Sequence, residues 1–177
     1  IMKNFKFLTF LIGSGLFFSC EQNDIDSTWN YLPLEVGNYW TFSNSFKREV
    51  TGVQKEGKKE YFILVTPYDT TYIRVAKNKV LALKPGEQEA VMFDTKARVK
   101  DKWKFNQWEV TLQNDTSNVA IGGQVISGCK QYYFDIPGMA DEEYNLWLAP
   151  GIGFIQSRCL GECIGGYVKD RKSTRLN

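Results

Sequence analysis

From Trp29 onward the chain consists of short apolar and aromatic runs broken by turn residues, and no helical periodicity is sustained. Residues 39–46 alternate, with Trp40, Phe42 and Phe46 on one face and Thr41, Ser43 and Ser45 on the other, which predicts a first strand. Gly57-Lys58 is a turn signal, and the run Tyr61-Phe62-Ile63-Leu64-Val65 inside 60–66 is apolar on both faces, so it reads as a central strand ended by Pro67. Residues 70–76, the turn Lys77-Asn78 and residues 79–83 predict a hairpin closed by Pro85-Gly86. Shorter strands are expected at 91–93 and 103–105. Residues 108–113 and 118–121 follow as strands separated by a turn at Asn114-Asp115, with a bend at Gly122-Gly123. The last third predicts strands at 128–136, 143–149 and 154–158, joined through Pro137-Gly138 and Pro150-Gly151-Ile152-Gly153. About nine or ten strands in one domain satisfy their edges only if the sheet curls. The expected fold is all-β: a single antiparallel, strongly curved sheet forming a half-barrel or small barrel over residues 29–169.

The segment before Trp29 has a different texture. Lys3 and Lys6 precede an apolar run over 7–18, small Ser19 and then Cys20, the pattern of an export signal over 1–19. Twelve residues at a helical rise reach about 18 Å, short of the roughly 30 Å a membrane span needs. Residues 20–28 are polar, carry Glu21, Asp24 and Asp26, and read as a flexible tether. At the other end, residues 170–177 read as a translated adapter tail, so the native chain is expected to continue differently after Lys169.

Composition narrows the function classes. The chain carries 22 Lys plus Arg against 20 Asp plus Glu, and removing the two signal lysines leaves 20 of each, a balance that argues against nucleic acid as a partner. Histidine is absent, which removes the usual general base and the usual metal ligand. No cofactor or catalytic motif is visible, and a non-enzymatic role is favoured.

Leu16-Phe17-Phe18-Ser19-Cys20 resembles the lipobox of bacterial lipoproteins, with the leucine one step further from the cysteine than is typical. The resemblance implies a diacylglyceryl group on Cys20, and the acidic residues after it are similar to the surface-export signals of Bacteroidetes lipoproteins. Residues 33–42, Pro-Leu-Glu-Val-Gly-Asn-Tyr-Trp-Thr-Phe, and 147–155, Trp-Leu-Ala-Pro-Gly-Ile-Gly-Phe-Ile, resemble opening and closing motifs of uncharacterised Bacteroidetes envelope lipoproteins. Their strand pattern is similar to half-barrel carriers of the LolA kind, where a concave apolar sheet shelters an acyl chain. The implied location is the outer membrane, on the periplasmic or cell-surface side, with the lipid anchor at Cys20 as membrane contact and a lipid, glycan or envelope protein as partner.

With Cys20 lipidated, Cys129, Cys159 and Cys163 remain. A disulfide between Cys159 and Cys163 fits their three-residue gap around Gly161; pairing of Cys129 with either is the alternative, and three thiols without histidine make an incomplete zinc set. Asp141, Glu142, Glu143 and Glu162 are the residues that would furnish a glycosidase-like carboxylate pair, against the simpler reading of a solvated loop. Trp40, Trp103 and Trp147 fall in core patterns, whereas Trp29 and Trp108 are the candidates for ligand stacking. Asp26-Ser27-Thr28 and Asp69-Thr70-Thr71 resemble the Bacteroidetes O-glycosylation sequence.

Overall fold

A computed structural model describes residues 31–159 and 166–172. Twelve antiparallel strands form one sheet: β1 (Tyr39–Phe42), β2 (Lys47–Glu56), β3 (Lys59–Val65), β4 (Thr70–Ala76), β5 (Lys79–Leu83), β6 (Ala90–Asp94), β7 (Lys102–Phe105), β8 (Trp108–Ile121), β9 (Gln124–Asp135), β10 (Tyr144–Ala149), β11 (Gly153–Cys159) and β12 (Gly166–Lys172). The order is β6-β5-β4-β3-β2-β1-β12-β11-β10-β9-β8-β7, two up-and-down meanders joined where β1 pairs with β12. The sheet curls into a nearly closed barrel whose one unsealed seam lies between the edge strands β6 and β7. Across that seam the Trp103 indole N–H donates to the Val91 carbonyl at 3.0 Å, and the Tyr132 hydroxyl donates to the Asp94 carbonyl at 3.3 Å.

The hairpin over β4 and β5 forms where expected, with Lys77 at φ 56° and Ala76 pairing with Lys79. Two expectations are corrected. Residues 39–46 are not one strand, because the chain reverses at Ser43-Asn44-Ser45: Ser45 takes φ 66° and the Phe42 N–H donates to the Phe46 carbonyl at 2.7 Å. Nor does Asn114-Asp115 turn the chain. β8 runs on through register shifts after Leu112, Asn114 and Ser117, and the Asn114 side chain accepts from the Thr116 N–H at 2.9 Å, so the turn chemistry is spent on bulges.

Both β2 and β12 are strands beyond those the sequence suggested. β2 buries only Val50 among charged neighbours, and β12 is held by backbone pairing of Tyr39, Trp40 and Thr41 with Lys172, Arg171 and Asp170, so it runs past residue 169. Backbone ladders are indifferent to side-chain identity, which is why neither strand shows in the apolar pattern.

The barrel interior is filled at one end. Leu32, Leu34, Trp40, Phe93, Leu112, Tyr132 and Leu148 are buried there. Leu32 and Leu34 are set by a tight turn in which the buried Asn38 side chain donates to the Pro33 carbonyl at 2.8 Å, and the Gly37 N–H, at φ 90°, donates to the Val50 carbonyl at 2.7 Å. A smaller cluster of Val119, Cys129, Ala149 and Ile155 lies apart, with Trp147 packed against it.

Candidate functional site

Inward-facing positions follow from strand alternation. On β2, Arg48 shares its face with buried Val50; on β10, Tyr144 shares its face with Leu146 and Leu148; on β8, Trp108 shares its face with Val110 and Leu112. These residues lie toward the end of the barrel that core side chains leave open. There they line a half-open cavity of about 600 Å³ with Phe42, Phe46, Tyr68, Asp141, Glu142, Ser157 and Cys159. Tyr68 comes from the β3–β4 loop, and Asp141 and Glu142 come from the β9–β10 loop.

The walls are aromatic. Tyr144 stacks on Phe134 with centroids 4.7 Å apart and planes 3° apart, and meets Trp108 edge-on at 5.3 Å. Phe46 stacks on Tyr68 at 6.0 Å and meets Phe42 at 5.8 Å. Burial pushes the Tyr144 hydroxyl pKa up to about 12, with the nearby Arg48 charge acting the other way, so this tyrosine stays protonated at neutral pH.

Arg48 is the cation of the cavity, set among aromatic rings. Its guanidinium carbon lies 4.4 Å from the Phe154 ring centroid, 5.5 Å from Phe46 and 5.9 Å from Phe42. Its Nε is buried with no hydrogen-bond partner, and no carboxylate pairs with it among the described residues. Burial lowers its pKa from the usual guanidinium range. Arg48 as a whole is half-buried, so the cost falls on the one nitrogen: a buried donor without an acceptor costs about 1–3 kcal/mol, and ring faces return about 0.5–2 kcal/mol. Glu142 is in the corresponding position with opposite sign, both carboxylate oxygens being buried and without partners. One cavity thus holds a cation and a carboxylate that do not pair with each other.

The site residues expected from sequence are dispersed. Trp108 is half-buried in the cavity wall rather than displayed on the surface. Asp141 and Glu142 both line the cavity; Glu143 does not. Cys159 is on the wall and is disulfide-bonded, whereas Cys129 is a buried free thiol, so the alternative bridge between Cys129 and Cys159 is not formed. Cys20, Trp29, Glu162 and Cys163 lie outside the described residues, as does the Asp26-Ser27-Thr28 sequence. Thr70 and Thr71 open β4, paired with Val65 and Leu64. Sequence reasoning missed Arg48, because within Lys47-Arg48-Glu49 nothing distinguishes the one side chain that turns inward.

No protein family matches this chain, and no curated protein matches it. One solved structure, a candidate lipoprotein from Parabacteroides distasonis, superposes with a TM-score of 0.40 at 10% identity, over 80% of this chain and 98% of that one. The functional reading therefore rests on this chain's own side chains.

Among the described residues, no group of three or more Cys, Asp or Glu is arranged to hold a metal ion. No helix among them is long and apolar enough to cross a membrane. What the site offers is a half-open hollow with flat apolar walls and two side chains of opposite charge.

Proposed function

We propose that this chain is a membrane-anchored lipoprotein of the cell envelope, a non-enzymatic binding module whose barrel holds one small amphipathic molecule. The observation that carries the binding reading is the aromatic-walled cavity of about 600 Å³ at the open end of a barrel otherwise filled by its own side chains. Enclosed, mostly apolar pockets with a few convergent polar groups are the usual form of small-molecule sites. The anchoring reading rests on the lipobox-like segment ending at Cys20 and on the tether after it; the outer membrane is the expected surface.

A glycan-acting enzyme is the second reading, because Asp141 and Glu142 line the same cavity as Trp108. Hydrolysis needs two carboxyl groups flanking the glycosidic bond, about 5–9.5 Å apart. Asp141 and Glu142 are neighbours on one loop, and no carboxylate on the opposite wall is among the cavity-lining residues described. Binding is the better-supported role.

The test uses 1-anilinonaphthalene-8-sulfonate, a flat apolar anion whose fluorescence rises in dry surroundings. One molecule is expected per protein. Ser157→Trp, which fills the cavity from β11, is expected to abolish binding while the far-ultraviolet circular dichroism stays unchanged. Multiple weak sites, or unchanged binding by the folded variant, would overturn the reading.

A further inference from the structure

Two polar side chains lining the cavity lack partners, and they have opposite requirements. Arg48 can only donate hydrogen bonds, and the two carboxylate oxygens of Glu142 are acceptors. Contact between the two would have satisfied both, yet no ion pair joins them among the described residues. The rings of Phe42, Phe46 and Phe154 surround the guanidinium without supplying an acceptor. Asn44 also lines the cavity, but its side-chain oxygen accepts from the Phe46 N–H at 3.1 Å.

Resting on the binding reading, we propose that the cavity selects a zwitterionic amphiphile: an acidic group seated on Arg48, a hydrogen-bond donor seated on Glu142, and an apolar body against Trp108, Tyr144 and Phe46. An uncharged acyl chain would leave both polar groups unsatisfied, and a simple fatty acid would satisfy Arg48 while leaving Glu142 orphaned. A short peptide with free termini and aromatic side chains meets both requirements. The cavity has room for two such residues.

The experiment titrates the full chain with four probes of one shape by calorimetry: L-phenylalanyl-L-phenylalanine, its N-acetyl derivative, its C-terminal amide, and the doubly capped form. The free dipeptide is expected to bind tightest, with each cap costing about tenfold or more, the scale of one charge-assisted hydrogen bond to a buried group. Arg48→Gln should abolish the preference for the free carboxylate and keep that for the free amine, and Glu142→Gln should do the reverse. Equal binding of all four probes would overturn the two-pole inference while leaving an apolar binding cavity intact. Failure of all four, together with failure of the naphthalene sulfonate, would remove the binding function itself. If the naphthalene sulfonate binds and no dipeptide does, the peptide-like ligand class is wrong and the cavity stands.

Discussion

Trp40 and Gly153 are in face-to-atom contact: a Cβ built on Gly153 would lie 2.8 Å from the indole ring, and the Trp40 N–H donates to the neighbouring Ile152 carbonyl at 2.6 Å. They belong to the two motifs that stood out at the ends of the domain sequence. Between them in the sheet lies β12, so the contact clamps β1 to β11 across the strand that separates them.

Gly153→Ala is therefore expected to cost more than about 3 kcal/mol, combining the clash with a left-handed φ of 88°. Trp40→Phe should cost about 2–4 kcal/mol through lost packing and a lost hydrogen bond. Urea unfolding of the two single variants and of the double variant checks this. Because Phe makes room for the new methyl, the double variant should be more stable than the sum of the single effects predicts. Strict additivity would mean that the two residues do not touch in solution.

A second prediction concerns Glu89, which sits outside the barrel and accepts two bonds from Arg74, at 2.6 and 2.7 Å, and one from Lys59 at 3.0 Å, with the Tyr61 hydroxyl as a fourth partner. Chiefly through Arg74, these donors hold its pKa at about 2, below the usual 4.5. The stabilisation is present above about pH 4.5 and is lost as pH falls through about 2. Glu89→Gln should cost about 1–3 kcal/mol at pH 7. The difference from wild type should shrink toward zero near pH 2 in denaturant titrations; a pH-independent difference would contradict it.

Cys129 should behave as an inert thiol. It is fully buried, its Sγ lies 3.2 Å from the Ile126 carbonyl, and burial raises its pKa. Iodoacetamide at pH 8 should leave it unlabelled in the folded protein and label it after denaturation. Peptide mapping without reduction should find Cys159 linked to Cys163. Rapid labelling of native Cys129 would show that the second hydrophobic cluster opens.

Cys20→Ser tests the anchor. The domain should remain folded, because Cys20 lies outside every strand described, and the protein should move from the membrane to the soluble fraction. Metabolic labelling with a fatty-acid analogue should mark the native chain alone. An unlabelled native chain would leave a plainly secreted domain.

The fold was legible wherever apolar alternation and turn chemistry agreed. The hairpin over Thr70–Ala76 and Lys79–Leu83 has the expected bounds because polar Lys77-Asn78 interrupts two apolar flanks, although the left-handed φ falls on Lys77 rather than on Asn78. Lys47–Glu56 and Gly166–Lys172 were illegible for the opposite reason: their pairing is made by backbone, while their side chains are mostly charged. The candidate site divides in the same way. Trp108 and the carboxylates of the β9–β10 loop carry chemistry that a sequence displays. Arg48 acquires its character only when β2 curls it over Phe154, a relation between residues far apart in the chain.

The placement of β12 between β1 and β11 bears on how the chain becomes a barrel. A polypeptide emerging amino-terminus first presents β1 to β6 early, and that meander can pair by local hairpins as it emerges. Its junction with the second meander waits for residues 166–172, which pair along the length of β1 but meet β11 only at Gln156 and Ser157. The β1–β12 pairing is thus the most non-local in the sheet, and a β1 strand still waiting for it presents an open edge to any neighbouring chain.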